Sequence, residues 1–153
     1  RRVMEDQSAT SGEKQIEVKL IPPKKVTCVV AARFTHMILE NLLSNAIKYS
    51  QPGSPVEIRV QPTQNDVSIT ITDQGVGIAE SDLPKLFAKF TRLDNPLSRT
   101  EGGSGLGLFL AESLAAAQGG RLEVMSTLGQ GSAFKLILPL PVMSNRNVTG
   151  LTD

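Results

Sequence analysis

The chain reads as an α+β protein: a two-layer α/β sandwich in which a mixed, mostly antiparallel sheet packs on about three helices. Three observations predict this. Apolar and polar residues alternate in paired runs, Val56–Val60 with Val67–Thr72 and Arg121–Ser126 with Ala133–Leu138, each pair joined by a short turn-like separator. Two longer stretches, Arg33–Tyr49 and Leu106–Ala117, repeat apolar residues at helical spacing. Strands and helices are mixed without the strict βαβ alternation of a parallel sheet, and the chain has no internal repeat.

Taken in order, residues 1–14 are polar and unpatterned, a tail or the end of an upstream helix. Gln15–Ile21 alternates as a half-buried strand does, Pro22-Pro23-Lys24-Lys25 breaks it, and Val26–Ala31 is a second strand. The long helix from Arg33 follows, then loop chemistry at Gln51-Pro52-Gly53-Ser54-Pro55. Gln61–Asp66 is a hairpin turn between the next two strands. A short helix is expected after Ser81, its cap, with Leu83, Leu86, Phe87 and Phe90 at core spacing. Arg92–Gly103 is rich in Pro, Ser, Thr and Gly and reads as a mobile loop. Gly119-Gly120 stops the second long helix. Leu128-Gly129-Gln130-Gly131 turns the last strand pair, and residues 142–153 are again tail-like, which leaves one folded domain over 15–141. Asn147-Val148-Thr149 matches a glycosylation acceptor, but nothing suggests secretion and it reads as chance.

A chain of 153 residues, 40% hydrophobic and 20% charged, is long enough for one soluble domain with a sizeable core. A formal net charge of +1 provides no global attraction to nucleic acid or to an anionic membrane, so no nucleic-acid partner is expected and phosphate binding has to be local. The single cysteine, Cys28, excludes an internal disulfide and suits a reducing compartment; its apolar neighbours suggest a buried, unreactive thiol. No apolar run is long enough to cross a bilayer and the polar start is unlike a signal peptide. A first residue of Arg1 rather than Met suggests a piece of something larger.

Three stretches carry chemistry. In the first long helix Ile38, Leu39, Leu42, Leu43, Ala46 and Ile47 form an apolar stripe, and Asn41, Asn45, Lys48 and Tyr49 share the other side. Asn is a mediocre helix former, so two of them beside a Lys and a Tyr are an odd choice for a plain surface helix. An amide oxygen suits a hard cation, an ammonium suits phosphate and an aromatic face suits a base. The bland alternative is a solvated polar face. Asp73-Gln74-Gly75-Val76-Gly77-Ile78 leaves a strand. An ionised carboxylate only accepts hydrogen bonds, so it can take the amino group of adenine and not the oxygen of guanine, while glycines let the backbone approach a flat base. Alone, Asp-x-Gly-x-Gly is also a common turn. Gly102-Gly103-Ser104-Gly105-Leu106-Gly107-Leu108 opens the second long helix, where unpaired N–H groups at the positive end of the dipole suit a di- or triphosphate; a flexible hinge is the alternative. The spacing excludes a P-loop, a dinucleotide fingerprint and the His-Arg-Asp and Asp-Phe-Gly signatures of eukaryotic-type kinases.

Together and in this order the stretches resemble the ATP-binding catalytic domain of bacterial sensor histidine kinases, in the superfamily that also holds DNA gyrase, MutL and heat-shock-chaperone ATPases. Asn41–Tyr49 matches the N box, Asp73–Ile78 the G1 box, Leu86–Arg92 the F box, Gly103–Leu108 the G2 box and Gly129–Ser132 the last glycine turn. The likeness covers about Gln15 to Pro141 and implies the Bergerat-type ATP-binding fold. It implies that Asn45 ligates Mg²⁺ and that Lys48 and Arg92 contact the phosphates. Tyr49 would lie against adenine and Asp73 would hold its amino group. Gly77 would lie beneath the base and Ser132 would join through a water. Gly105 and Gly107 would meet the phosphates, and Asn41, Gly75, Ile78, Gly103, Leu106 and Leu108 would complete the ATP site. Arg92–Gly103 would be the lid that closes over ATP.

One departure is informative. ATP-hydrolysing members of the superfamily carry a Glu four residues before the metal Asn; here that residue is Asn41, which cannot act as a general base. The choice favours phosphoryl transfer over hydrolysis. The family's acceptor histidine sits in a separate upstream dimerisation domain. The chain's one histidine, His36, begins the N-box helix and lacks the following acidic residue, so it reads as an ordinary helix residue. The resemblance therefore implies a bacterial cytoplasmic domain, monomeric without its dimerisation helices, from a parent that can be membrane-anchored. Its implied partners are that phosphoacceptor domain and a response regulator. The alternatives are a nucleotide-binding regulatory module without transfer, a gyrase- or chaperone-type ATPase, and an anti-sigma-type serine kinase.

Overall fold

The computed structural model describes residues 2–7, 11–12, 14–23, 29–93 and 104–140. In chain order it contains α1 (Arg2–Asp6), β1 (Val18–Ile21), α2 (Ala32–Tyr49), β2 (Val56–Pro62), β3 (Asp66–Asp73), a 3-10 helix (Glu80–Lys85), α3 (Gly107–Ala116), β4 (Arg121–Thr127) and β5 (Gly131–Pro139). The strands form one five-stranded sheet in the order β1-β2-β3-β5-β4. The β2–β3, β3–β5 and β4–β5 pairs are antiparallel. Only β1 and β2 run parallel, because the chain between them passes through α2 instead of a tight turn. The sheet is mixed and mostly antiparallel, as the paired alternating runs predict.

Period-two alternation decides which face is covered. Ile58, Ile71 and Phe134 sit opposite one another across β2, β3 and β5, and all three are buried. Lys19, Glu57, Arg59 and Glu123 belong to the alternate set and are ion-paired in solvent. The buried set packs on Ile38, Leu42, Leu43 and Ile47 of α2 and on Ala111 and Ala115 of α3. Two small residues on α3 let it lie close to α2, and the two helices run antiparallel. The start of α2 is tied to the end of α3: the Ala31 N–H and the Thr35 hydroxyl both donate to Gln118 Oε1, at 3.0 and 3.2 Å.

Several elements differ from the sequence reading. Alternation at Gln15–Glu17 does not extend the first strand, which starts at Val18; Gln15 has a φ of 55 and turns the chain. Of the expected strand Val26–Ala31, residues 29–31 are not strand: Val29 is exposed and Ala31 is the N-cap of α2. Residues 26–28, and Cys28 with them, lie outside the described residues, as do 94–103 of the expected lid loop and the tail 142–153. The short helix after β3 is 3-10, is capped by Ala79 instead of Ser81, and contains Pro84. Leu86 is buried as expected, but Phe90 is 71% exposed with a left-handed φ of 61, so it is not a core residue. Among the described residues two helices are long, α2 and α3. Arg2–Asp6 adds a short one, whose Val3 and Met4 pack against the core. No described helix is long and apolar enough to cross a membrane.

Candidate functional site

A cavity of about 340 Å³ opens between α2, α3 and the ends of the sheet. The polar side of α2 forms one wall, with Asn41, Ser44, Asn45, Lys48 and Tyr49 all lining it. This face is a cavity wall and not a solvated surface. Val76, Gly77 and Ile78 after β3 close one end with Ser132 and Phe134 of β5; Arg92, Ser104, Gly105, Gly107 and Leu108 form the other.

The two asparagines of α2 differ. Asn41 Nδ2 donates to Met37 O at 3.0 Å, one turn back in its own helix, and Oδ1 stands where a Cβ on Gly107 would have to go. Gly107 is therefore the residue that lets the start of α3 pass over Asn41. The Asn45 side chain makes no hydrogen bond among the described residues, which leaves its amide oxygen for a cavity occupant. Lys48 Nζ lies 5.2 Å from the centre of the Tyr49 ring.

Asp73 ends β3 at 5% exposure. Its Oδ1 accepts the N–H of Gly75 at 2.9 Å and that of Ser132 at 3.2 Å. Burial pushes its pKa from 3.8 up to about 6, against the lowering effect of those two donors. The surrounding glycines serve the backbone more than they serve a ligand. A Cβ on Gly75 would overlap the Tyr49 carbonyl, one on Gly77 the Thr127 carbonyl, and one on Gly131 the Asp73 carbonyl. The Gly75–Ser50 bridge and the Val76 N–H to Tyr49 O bond at 3.3 Å clamp this turn to the end of α2.

Most of the expected site residues come together here: Asn41, Asn45, Lys48, Tyr49, Gly77, Ile78, Arg92, Gly105, Gly107, Leu108 and Ser132 all line the cavity. Four do not. Asp73 lies behind the surface, next to Ser132. Gly75 packs against the Tyr49 carbonyl and is not part of the lining. Leu106 caps α3, its carbonyl accepting the Leu110 N–H, and is not part of the lining. Gly103 lies outside the described residues. Gly105 has a φ of 70 and packs on the Phe90–Thr91 backbone, so the G2 turn needs glycine for its shape. His36 pairs with Asp6, Nε2 to Oδ2 at 3.4 Å, as an ordinary surface helix residue.

Sequence reasoning missed Ser44, Thr91, Leu93 and Phe134 in the lining, and Ser126 beneath it. The signal for Ser126 was present: a hairpin turning at Leu128–Gly131 places Ser126 directly opposite Ser132.

The sequence matches the family model described as histidine kinase-, DNA gyrase B- and HSP90-like ATPase over residues 30–142, most of the chain. The chain belongs to that family. Among its relatives, the circadian input-output histidine kinase CikA of Synechococcus elongatus is 43% identical over 102 residues, 67% of this chain and 14% of CikA. The sensor-like histidine kinase SenX3 of Mycobacterium tuberculosis is 40% identical over 124 residues, 81% of this chain and 30% of SenX3. The chain thus spans less than a third of either relative. Among solved structures, full-length ShkA in complex with AMPPNP superposes with a TM-score of 0.79 at 29% identity, over 92% of this chain and 29% of ShkA. The mycobacterial sensor histidine kinase MprB gives 0.76 at 26%, over 90% of this chain and 93% of MprB. The nucleotide-free catalytic domain of ThkA, at 0.78 and 19% identity, shares the fold.

Proposed function

We propose that this chain is the catalytic domain of a sensor histidine kinase, which binds Mg·ATP and passes its γ-phosphoryl group to a histidine on another domain. The observation that carries the reading is convergence: residues from five separated stretches, Asn45, Lys48, Gly77, Arg92, Gly105 and Ser132, line one cavity. The histidine kinase relatives, and the AMPPNP bound by ShkA, support it.

In this reading adenine lies at the Gly77–Ser132 end, beside Tyr49, with its amino group on the Asp73 carboxylate. The triphosphate runs toward the start of α3, where Gly105 and Gly107 bring backbone N–H groups close, and Lys48 and Arg92 supply positive charge. The donor set fits magnesium held mainly by phosphate. No group of three or more His, Cys, Asp or Glu side chains forms a protein-only metal cage among the described residues, and the uncommitted amide oxygen of Asn45 suits a hard cation. When bound, the metal would neutralise charge on the phosphate oxygens. The protein's part is positioning and charge stabilisation. The γ-phosphorus to bridging-oxygen bond breaks, a phosphorus–nitrogen bond to the acceptor imidazole forms, and ADP leaves. A response regulator then takes the phosphoryl group from that histidine.

Asn41 separates this from the ATPase reading. At its position on the cavity wall stands a neutral amide held by Met37 O, with no capacity to take a proton from water. Incubation with γ-labelled ATP, with and without a phosphoacceptor helical domain added in trans, tests the proposal. Label is expected on the added domain alone. Steady phosphate release by this chain, or label on His36, would overturn it.

A further inference from the structure

Ser126 stands where four polar groups meet below the base end of the cavity. Its Oγ accepts the Ile78 N–H at 2.9 Å, lies 2.8 Å from Gly131 O and 2.9 Å from Ser132 Oγ. A hydroxyl has one proton to give, and a carbonyl can only accept. The Gly131 contact therefore takes the Ser126 proton, and the Ser126–Ser132 contact has to be donated by Ser132. This is the one assignment in which all three contacts are hydrogen bonds. Ser126 is then fully used, with one donated and two accepted bonds. Ser132, which lines the cavity, has given its proton to the protein and turns only lone pairs toward a ligand. Its neighbour Asp73, when ionised, is likewise an acceptor.

We infer that Ser126 is a specificity-determining positioning residue: by taking the Ser132 proton it makes the base end an all-acceptor surface. Such a surface receives a purine amino group and repels a purine carbonyl. The inference rests on the nucleotide reading above and adds a residue that sets which base the site accepts. Without Ser126 the Ser132 hydroxyl is free to rotate and donate, and a carbonyl at the purine 6-position gains a partner. The Ile78 N–H also loses its acceptor, which loosens the turn carrying Gly77.

The test is calorimetric titration of this chain with Mg·ATP and Mg·ITP, which differ at the 6-substituent and the adjacent ring nitrogen. In Ser126→Ala the ratio of the ITP to the ATP dissociation constant should fall about five- to tenfold, the worth of one hydrogen bond. Ser126→Thr, which keeps the hydroxyl, should hold the wild-type ratio. In a Ser132→Ala background, Ser126→Ala should change the ratio no further, because the hydroxyl it orients is gone. Ser126→Cys fills the space with a weak acceptor and reads the same fall if the alanine variant does not fold. Equal weakening of both nucleotides would assign Ser126 a purely structural role and overturn the inference. Absence of binding of either nucleotide to the wild type would sink the nucleotide reading itself.

Discussion

Replacing Asp73 by asparagine should make the protein more stable and unable to hold adenine. The carboxylate is 5% exposed, and burial raises its pKa from 3.8 to about 6. A raised carboxylate pKa means that the folded state binds the proton more tightly than the unfolded chain does. Stability is then greatest below pH 4, where Asp73 is protonated in both states, and declines as pH rises through about 6. Above that the full penalty applies, and the rise from 3.8 to about 6 corresponds to about 3 kcal/mol. Asparagine keeps an oxygen for the Gly75 and Ser132 N–H groups and carries no charge to desolvate. Asp73→Asn should therefore raise the melting temperature at pH 7.5 by about 6–12 °C, at about 2–4 °C per kcal/mol for a domain of this size. The gain should shrink toward zero near pH 4. Calorimetric or fluorescence melts of both proteins across pH 4–8, paired with ATP titrations at pH 7.5, measure both effects. A variant no more stable than wild type at pH 7.5, or a gain that does not fall on acidification, would refute the desolvation argument. A variant whose preference for ATP over ITP is unchanged from wild type would refute the adenine assignment.

Other perturbations have equally definite outcomes. Asn45→Ala should weaken ATP binding in Mg²⁺ by at least the roughly 10- to 100-fold seen when a metal's supporting partner is removed, while leaving binding in EDTA nearly unchanged. Titrations in the two buffers would show it. Ala31 caps α2 without a side-chain hydrogen bond, so Ala31→Asp should stabilise the fold by about 1 kcal/mol in denaturant unfolding. Phe90 holds a left-handed φ of 61 while 71% exposed, so Phe90→Asn should gain about 1 kcal/mol from relief of backbone strain. Gly75→Ala should cost about 3 kcal/mol or more, because its Cβ would occupy the place of the Tyr49 carbonyl. Thermal melts measure the last two.

What could be read from the sequence was whatever depends on periodicity. The alternating runs located β2 to β5 to within a few residues, because one side of the sheet is covered and the other is wet. Helical spacing found α2 and α3 for the same reason. Misreadings occurred where local pattern and tertiary demand part company. Gln15–Glu17 alternates, yet Gln15 takes a left-handed φ and the pairing with β2 begins only at Val18. Phe90 sits at core spacing, but the 3-10 helix ends at Lys85 and Phe90 takes a left-handed φ of 61 that leaves it in solvent. At the site, residue types announced the polar inventory of α2, whereas the purpose of each glycine was hidden. Gly75 and Gly77 both fit an expectation of room for a base, and each turns out to make room for a carbonyl of this chain, as Gly131 does in the last glycine turn. Sequence alone cannot distinguish these uses, because both need only a missing Cβ.

That distinction bears on how the site works. The base end is assembled by main chain packed on main chain: the Gly75 turn on the end of α2, the Gly77 turn on the end of β4, and Gly131 on the end of β3. Side chains at such a place have little freedom to adapt, so Asp73 and Ser132 are held as acceptors before any ligand arrives. Desolvation of Asp73 is the energetic consequence, and it is an unfavourable term in the folded protein at neutral pH. A donor placed on that carboxylate offsets part of the term, so adenine should gain at this position more than one ordinary hydrogen bond provides. A purine with an oxygen there would add an unpaired acceptor to a site that already has two. On the proposed reading, selectivity for adenine would follow from the desolvation of one carboxylate at the end of β3.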